Sequence, residues 1–135
     1  MQCREPTPEE LELYALAAGA RPRAYVPYSQ FAVGAALRTA EGLTVLGVNV
    51  ENASYGMTVC AERVAAVRAV ADGSRAFETI AVACPDHAVT ATPCGACRQV
   101  LSEFGPEMTV VLRVDGNVVA TTLPELLPGA FRLRE

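Results

Sequence analysis

The chain has 135 residues, and 11 Arg against 15 Asp plus Glu leave a formal charge of −4 with the single His neutral, so one domain covering 1–135 is expected at this length. With 51% hydrophobic and 19% charged residues, an ordinary core is available and composition argues against disorder. The absence of Lys and the lone His exclude Schiff-base, P-loop and pyridoxal-phosphate lysines, and any metal site built on two histidines.

Thr7 and Glu10 have the spacing of a capping box around Pro8, and Leu11, Tyr14, Ala15 and Ala18 keep a 3.6-residue period. A helix from 8 to about 20 is predicted, closed by Pro22 and Pro27. Phe31 to Leu37 and Thr44 to Val50 read as strands joined at Glu41-Gly42 in an antiparallel hairpin. Residues 60–72 read as a helix ended by Asp72 and Gly73, with Val64, Val67 and Ala71 on its apolar face.

Thr79 to Cys84 reads as a buried strand, and a further helix runs from near Cys94 to Phe104, stopped by Gly105-Pro106. Met108 to Val114 and Val118 to Thr121 flank Asp115-Gly116-Asn117, a hairpin turn signal, and a short helix closes at Leu123 to Leu127. Hairpins at both ends and helical crossovers between them give a mixed five-stranded sheet with helices on both faces, a three-layer α/β/α arrangement. In such a sheet the site is expected at crossover loops.

An acidic chain with 6% aromatics and no Trp lacks the basic stripe and stacking rings of a nucleic-acid surface, so a small polar ligand fits better. The N-terminal MQCREPTPEE carries Arg and Glu where a signal peptide has its apolar stretch, and Arg68 interrupts the most continuous apolar helix. Neither secretion nor a membrane span is expected. Five Cys without an export signal suggest a reducing cytosol, in which Cys clusters bind metal more often than they form disulfides.

Two segments carry chemistry: Cys60-Ala61-Glu62-Arg63 and Pro93-Cys94-Gly95-Ala96-Cys97-Arg98-Gln99, each at a helix start. The unpaired N–H groups and positive dipole end there favour thiolates. Three Cys without a fourth ligand by motif match a catalytic zinc, which keeps one position for water, better than a closed structural site. Alone, C-x-x-C would equally suit a redox pair or half a zinc finger; the second cluster, with its carboxylate, disfavours both. Cys84 reads as a small buried hydrophobe, Cys3 as a surface thiol in a frayed terminus, and His87 as a solvated turn residue.

A Cys-x-Glu followed by P-C-x-x-C is the pattern of zinc nucleobase deaminases, with Glu as acid/base and not a ligand. Together with Asn49-Val50-Glu51-Asn52-Ala53 and Leu127-Pro128-Gly129-Ala130-Phe131, these segments resemble the short cytidine deaminases over nearly the whole chain. The resemblance implies a cytoplasmic homotetramer of pyrimidine salvage with one Zn2+ per subunit on Cys60, Cys94 and Cys97. It further implies hydrolysis of cytidine or 2′-deoxycytidine to the uridine nucleoside and ammonia, with Glu62 handing the water's proton to ring N3 as C4 is attacked and later protonating the departing amine. Zinc acidifies its water.

Cys60 and Glu62 stand two residues apart, a spacing that points side chains away from each other on a regular helix, so both face the metal only at an irregular first turn. Three thiolates on Zn2+ leave a net −1, and Arg63, on the Cys60 face, is positioned to offset it and tune the zinc. By resemblance, Asn49 and Glu51 hold the ribose 3′-OH, Phe31 lies beside pyrimidine and sugar, the Ala61 N–H takes the base carbonyl, and Tyr55 lies near the pocket. The resemblance also implies that Phe131 reaches a neighbouring subunit's site. Without the resemblance, Asn49 and Asn52 would be turn residues, Glu51 a solvated charge and Phe31 ordinary core. Ala32 stands where many relatives carry Pro, and Pro22 is unusual. A deaminase of the blasticidin type, a polynucleotide-editing deaminase and a structural zinc module are the competing readings.

Overall fold

The computed structural model describes residues 1–133. Helix α1 (Pro8–Ala20) starts at Thr7, whose hydroxyl accepts from the Glu10 N–H while the Glu10 carboxylate accepts from the Thr7 N–H. This reciprocal box satisfies donors that a helix start otherwise leaves open. After a 3-10 turn at Arg21–Arg23 come strands β1 (Gly34–Thr39) and β2 (Thr44–Val48), helix α2 (Ala61–Ala71), β3 (Phe77–Ala83), α3 (Gly95–Phe104), β4 (Thr109–Val114), β5 (Asn117–Thr122) and α4 (Leu123–Leu126). Type and order match the sequence expectation.

The sheet order is β2-β1-β3-β4-β5. Only β3 and β4 run parallel, over Thr79–Ala81 against Thr109–Val111; the other neighbours are antiparallel. The parallel pair needs a crossover, and α3 supplies it. The β4–β5 turn is two residues, Asp115 and Gly116, both at positive φ (49° and 82°), the geometry whose twist matches a hairpin.

Alternation along the strands divides the core between the two faces. Ala36, Ala81, Ala83 and Val111 meet Leu13 and Ala17 of α1. Ala35, Leu37, Ile80, Val82, Val110 and Leu112 meet Ala61, Ala65, Ala66 and Ala69 of α2, Leu101 of α3, and Leu123 and Leu126 of α4. The three-layer mixed sheet is therefore as expected.

The α2 face differs from expectation. Its buried residues are Ala61, Glu62, Ala65, Ala66 and Ala69, whereas Val67 is exposed, Ala71 is exposed and Val64 is half-buried. The reason is distance: a Cβ at Gly47 of β2 would collide with the Ala61 carbonyl oxygen and stand 2.6 Å from the Ala65 nitrogen. Backbones this close admit methyl groups, and the bulkier valines turn to the rim.

Three smaller corrections concern ends. Regular pairing in β1 begins at Gly34: the Asn49 side chain takes the Val33 N–H and the Phe31 carbonyl, and only the Asn49 N–H, donating to the Val33 carbonyl at 3.3 Å, extends the backbone contact. Cys84 lies just past β3 and is half-buried. The N-terminus is pinned, not frayed: Arg4 and Ala120 exchange both backbone hydrogen bonds, and Thr121 Oγ1 donates to the Gln2 carbonyl at 2.6 Å. Cys3 is exposed as expected.

Candidate active site

Cys60 and Cys94 are the N-cap residues of α2 and α3, both extended (φ −70°, ψ 152° and φ −67°, ψ 165°), and neither side chain caps its own helix. Cys60 is thus outside the helix proper, which relieves the two-residue spacing problem with Glu62. Cys97, in the first turn of α3, is buried. The three sulfurs lie within 4.8 Å of one another, and those of Cys94 and Cys97 are 3.4 Å apart. Tetrahedral zinc with bonds near ~2.3 Å sets its sulfurs roughly 3.8 Å apart, so the donor set fits.

The local field favours charge on Cys60 within this cluster. Cys97 donates toward Cys60, and Arg63 adds its own bond and charge, so the Cys60 thiol is pulled down to about 5 against its burial. Cys97 is pushed up in return, keeping its own proton as the donor to Cys60, with burial adding to the effect. Arg63 Nη2 lies 3.8 Å from Cys60 Sγ and donates to the Thr58 carbonyl at 3.3 Å. Its Nε is buried without a hydrogen-bond partner among the described residues.

Glu62 occupies the first turn of α2 and is 5% exposed. Burial pushes its carboxyl up to about 7, with the Cys60 charge adding to the effect while its own backbone N–H, Arg63 and Cys97 oppose it. A carboxyl titrating near neutrality is suited to taking up and releasing a proton.

The residues expected to hold a substrate lie beyond β2 and in the loop before β1. Asn49 is engaged with that loop: Oδ1 accepts from the Val33 N–H at 2.9 Å and Nδ2 donates to the Phe31 carbonyl at 2.8 Å. Arg21 Nε donates to the Ala32 carbonyl at 2.8 Å, so side chains fix the loop shape where proline is missing. Glu51 accepts from the backbone N–H of Tyr28 and Ser29 and from the Ser29 hydroxyl, and this holds its carboxyl below the usual range.

Tyr28, Ser29, Glu51, Tyr55 and Thr58 line an open cleft of about 330 Å³. Tyr28 and Tyr55 pack edge to face across it, ring centres 5.7 Å apart. The cleft reaches Thr58, whose carbonyl takes Arg63. Ala61 is the first helical residue of α2, where N–H groups have no partner within the helix. Phe131 lies apart from these residues, 69% exposed, with its carbonyl accepting from Gln99 Nε2 at 3.0 Å.

Sequence reasoning missed several participants. Ser29 orients Glu51, and only the Pro27-Tyr28-Ser29 turn chemistry hinted at it. Arg98 donates to the carbonyls of Pro93 and Leu126 and to Thr92 Oγ1, at 2.7, 2.6 and 3.2 Å. His87 is exposed as expected, yet its ring packs against Phe31, a contact no spacing could reveal.

The family model for the cytidine and deoxycytidylate deaminase zinc-binding region matches residues 8–113. The chain belongs to this deaminase family. The matched region of this family member includes the three clustered cysteines and Glu62, and leaves Phe131 outside it. It is 49% identical over 114 residues to the cytidine deaminase of Sporosarcina psychrophila, covering 83% of each chain. It is 39% identical over 103 residues to the blasticidin-S deaminase of Bacillus cereus, covering 71% of this chain and 74% of that one. A crystal structure of cytidine deaminase from Burkholderia pseudomallei superposes with a TM-score of 0.84 at 48% identity, covering 93% of this chain and all of the other.

Proposed function

We propose that the chain, acting as one catalytic domain over 1–135, hydrolyses the C4 amino group of cytidine and 2′-deoxycytidine, giving uridine or 2′-deoxyuridine and ammonia. The observation that carries this reading is the buried Glu62 carboxyl, raised to about 7, beside a three-sulfur cluster at two helix starts. Cys60, Cys94 and Cys97 would hold the zinc, which would supply Lewis acidity near neutral pH. Glu62 takes one proton from the attacking water and passes it to ring N3 as the C4–O bond forms; it then takes the second proton, from the new C4 hydroxyl, and gives it to the amine as the C4–N bond breaks and the carbonyl forms. Its burial keeps bulk water from competing for those protons.

Phe31 sets the pyrimidine and sugar, the Ala61 N–H donates to the base carbonyl, and Glu51 and Asn49 meet the ribose hydroxyl, with Tyr55 at the mouth. Support for the sugar end comes from Glu51, already oriented by Ser29 at the cleft. A carboxylate there favours substrates with an intact ribose hydroxyl over blasticidin-type ligands. Arg63 offsets thiolate charge.

The working unit is a homotetramer in which Phe131 covers a neighbouring subunit's site. Its exposed ring on a carbonyl anchored by Gln99, together with exposed Tyr25, Val50, Tyr55 and Met57, supports that assembly. Its place is cytoplasmic pyrimidine salvage; no helix among the described residues is long and apolar enough to cross a membrane.

The test is to offer purified protein cytidine, 2′-deoxycytidine, cytosine, CMP and blasticidin S, following ammonia, absorbance and bound zinc in each sample. Ammonia from the nucleosides with about one zinc per chain, and zinc without turnover in Glu62→Gln, is the expected result. Zinc with no deamination of any substrate sinks the assignment and leaves a structural metal module.

A further inference from the structure

His87 sits on the loop between β3 and α3, and its ring meets that of Phe31 edge to face, with centres 5.7 Å apart and planes at 79°. Each partner belongs to a loop that is anchored independently of the other. Around Phe31, Asn49 holds the Phe31 carbonyl and the Val33 N–H, Arg21 holds the Ala32 carbonyl, and Ser29 Oγ accepts from the Phe31 N–H at 3.0 Å. Around His87, the Ala91 N–H donates to the Arg113 carbonyl at 3.0 Å and the Gly116 N–H to the Val89 carbonyl at 2.9 Å. The Asp115 N–H donates to Thr90 Oγ1 at 3.0 Å, and Arg113 reaches the Asp86 carbonyl at 3.4 Å.

The His87 loop continues directly into Pro93 and Cys94. The ring pair therefore connects the segment that delivers a zinc ligand with the segment that carries Phe31. Left alone, a half-exposed phenylalanine would sample several rotamers. An edge-to-face partner on a tethered loop selects one of them, because the positive ring edge prefers the negative face.

We propose that His87 is a positioning residue for the nucleoside: it fixes the Phe31 ring in the orientation that receives the pyrimidine and sugar. The inference rests on the reading of Phe31 as a substrate-contacting residue. It predicts an effect on substrate binding with little effect on the proton transfers at Glu62.

The test uses the zinc-loaded enzyme. His87 is the single histidine of the chain, so its ring-proton resonances are assignable without ambiguity. Phe31→Leu should move those resonances in the ligand-free protein, and uridine, the unreactive product, should move them in the wild type. His87→Ala should raise KM for cytidine roughly twofold to tenfold, the range open to one aromatic pair, with kcat changed less than about twofold. His87→Phe should restore KM, and the Phe31→Leu/His87→Ala double variant should be no worse than Phe31→Leu alone. His87 resonances indifferent to Phe31→Leu overturn the proposal at the contact. A raised KM in Phe31→Leu beside an unchanged KM in His87→Ala overturns it at the function. An unchanged KM in Phe31→Leu removes the substrate role of Phe31 and the proposal with it, while the resonances still report whether the rings pair.

Discussion

Arg63 reaches Cys60 across the first turn of α2, with Nη2 3.8 Å from the sulfur and 3.3 Å from the Thr58 carbonyl. The guanidinium thus ties the cysteine to the segment that leads into it, and brings a permanent positive charge to the cysteine cluster. Arg63→Gln keeps part of the hydrogen-bonding capacity and removes the charge. Groups that support a metal ligand typically change affinity or activity about tenfold to a hundredfold when lost. The expectation is a drop of that order in kcat, with weaker zinc retention against a chelator. Zinc retention and kcat both unchanged would leave Arg63 a packing residue of the α2 start with no part in tuning the zinc.

Gly47 predicts a structural dependence of the same site. A Cβ there would press on the Ala61 carbonyl, one residue from Cys60, so Gly47→Ala must lift the start of α2 from the sheet. Overpacking of this kind costs about 1–3 kcal/mol. Chemical denaturation should show that loss, and zinc content should fall with it. A substitution at Gly42, where a Cβ meets nothing within 4 Å but φ is +88°, separates the two effects: it strains a turn and should leave zinc binding intact.

Much of the architecture was legible because local signals agreed with the global fold. The Thr7–Glu10 box, the positive-φ turn at Asp115-Gly116 and the Cys positions at two helix starts each state their structure within a few residues. The α2 face was misread because Val67 outranks Ala65 in hydrophobicity, whereas its fate depends on Gly47, in another element. The same holds for His87 on Phe31 and for Asn49 on the 31–33 segment. These contacts join residues distant in the chain, and neither periodicity nor spacing encodes them.

Arg98 is a further long-range member, and it carries a prediction of its own. Its guanidinium joins the Pro93 carbonyl, the Thr92 hydroxyl and the Leu126 carbonyl, so one side chain sets the approach to Cys94 and docks α4. Arg98→Met keeps the aliphatic stem and abandons those acceptors. Hydrogen bonds to a charged group contribute about 1.5–3 kcal/mol each, less where water can replace them, so a loss of roughly 2–4 kcal/mol in urea unfolding is expected. Arg98→Lys should recover little, because a point charge cannot serve three acceptors set in a fork. Full recovery by Lys would show that charge alone matters there.

The start of α1 gives a pH dependence whose sign is fixed by the structure. Arg4 donates two bonds to the Glu10 carboxylate, at 2.8 and 2.9 Å, and the Thr7 N–H donates a third. The Arg4 bond is the chief cause that lowers the Glu10 pKa below its usual 4.5, with Thr7 assisting against some desolvation. A carboxyl whose folded pKa is depressed stabilises the fold above its unfolded pKa, and that contribution disappears as pH falls through the folded value. Glu10→Gln can still accept from the Thr7 N–H, so it removes the charge and keeps the box. Wild type should therefore be the more stable of the two at about pH 7, and the gap should narrow as the pH falls below the usual carboxylate range and close once the folded carboxyl is protonated. Because Arg4 is 53% exposed, the gap should be under about 1 kcal/mol and shrink in high salt. A gap that stays constant from neutral to acid pH would assign the effect to the hydrogen-bond box instead of the ion pair.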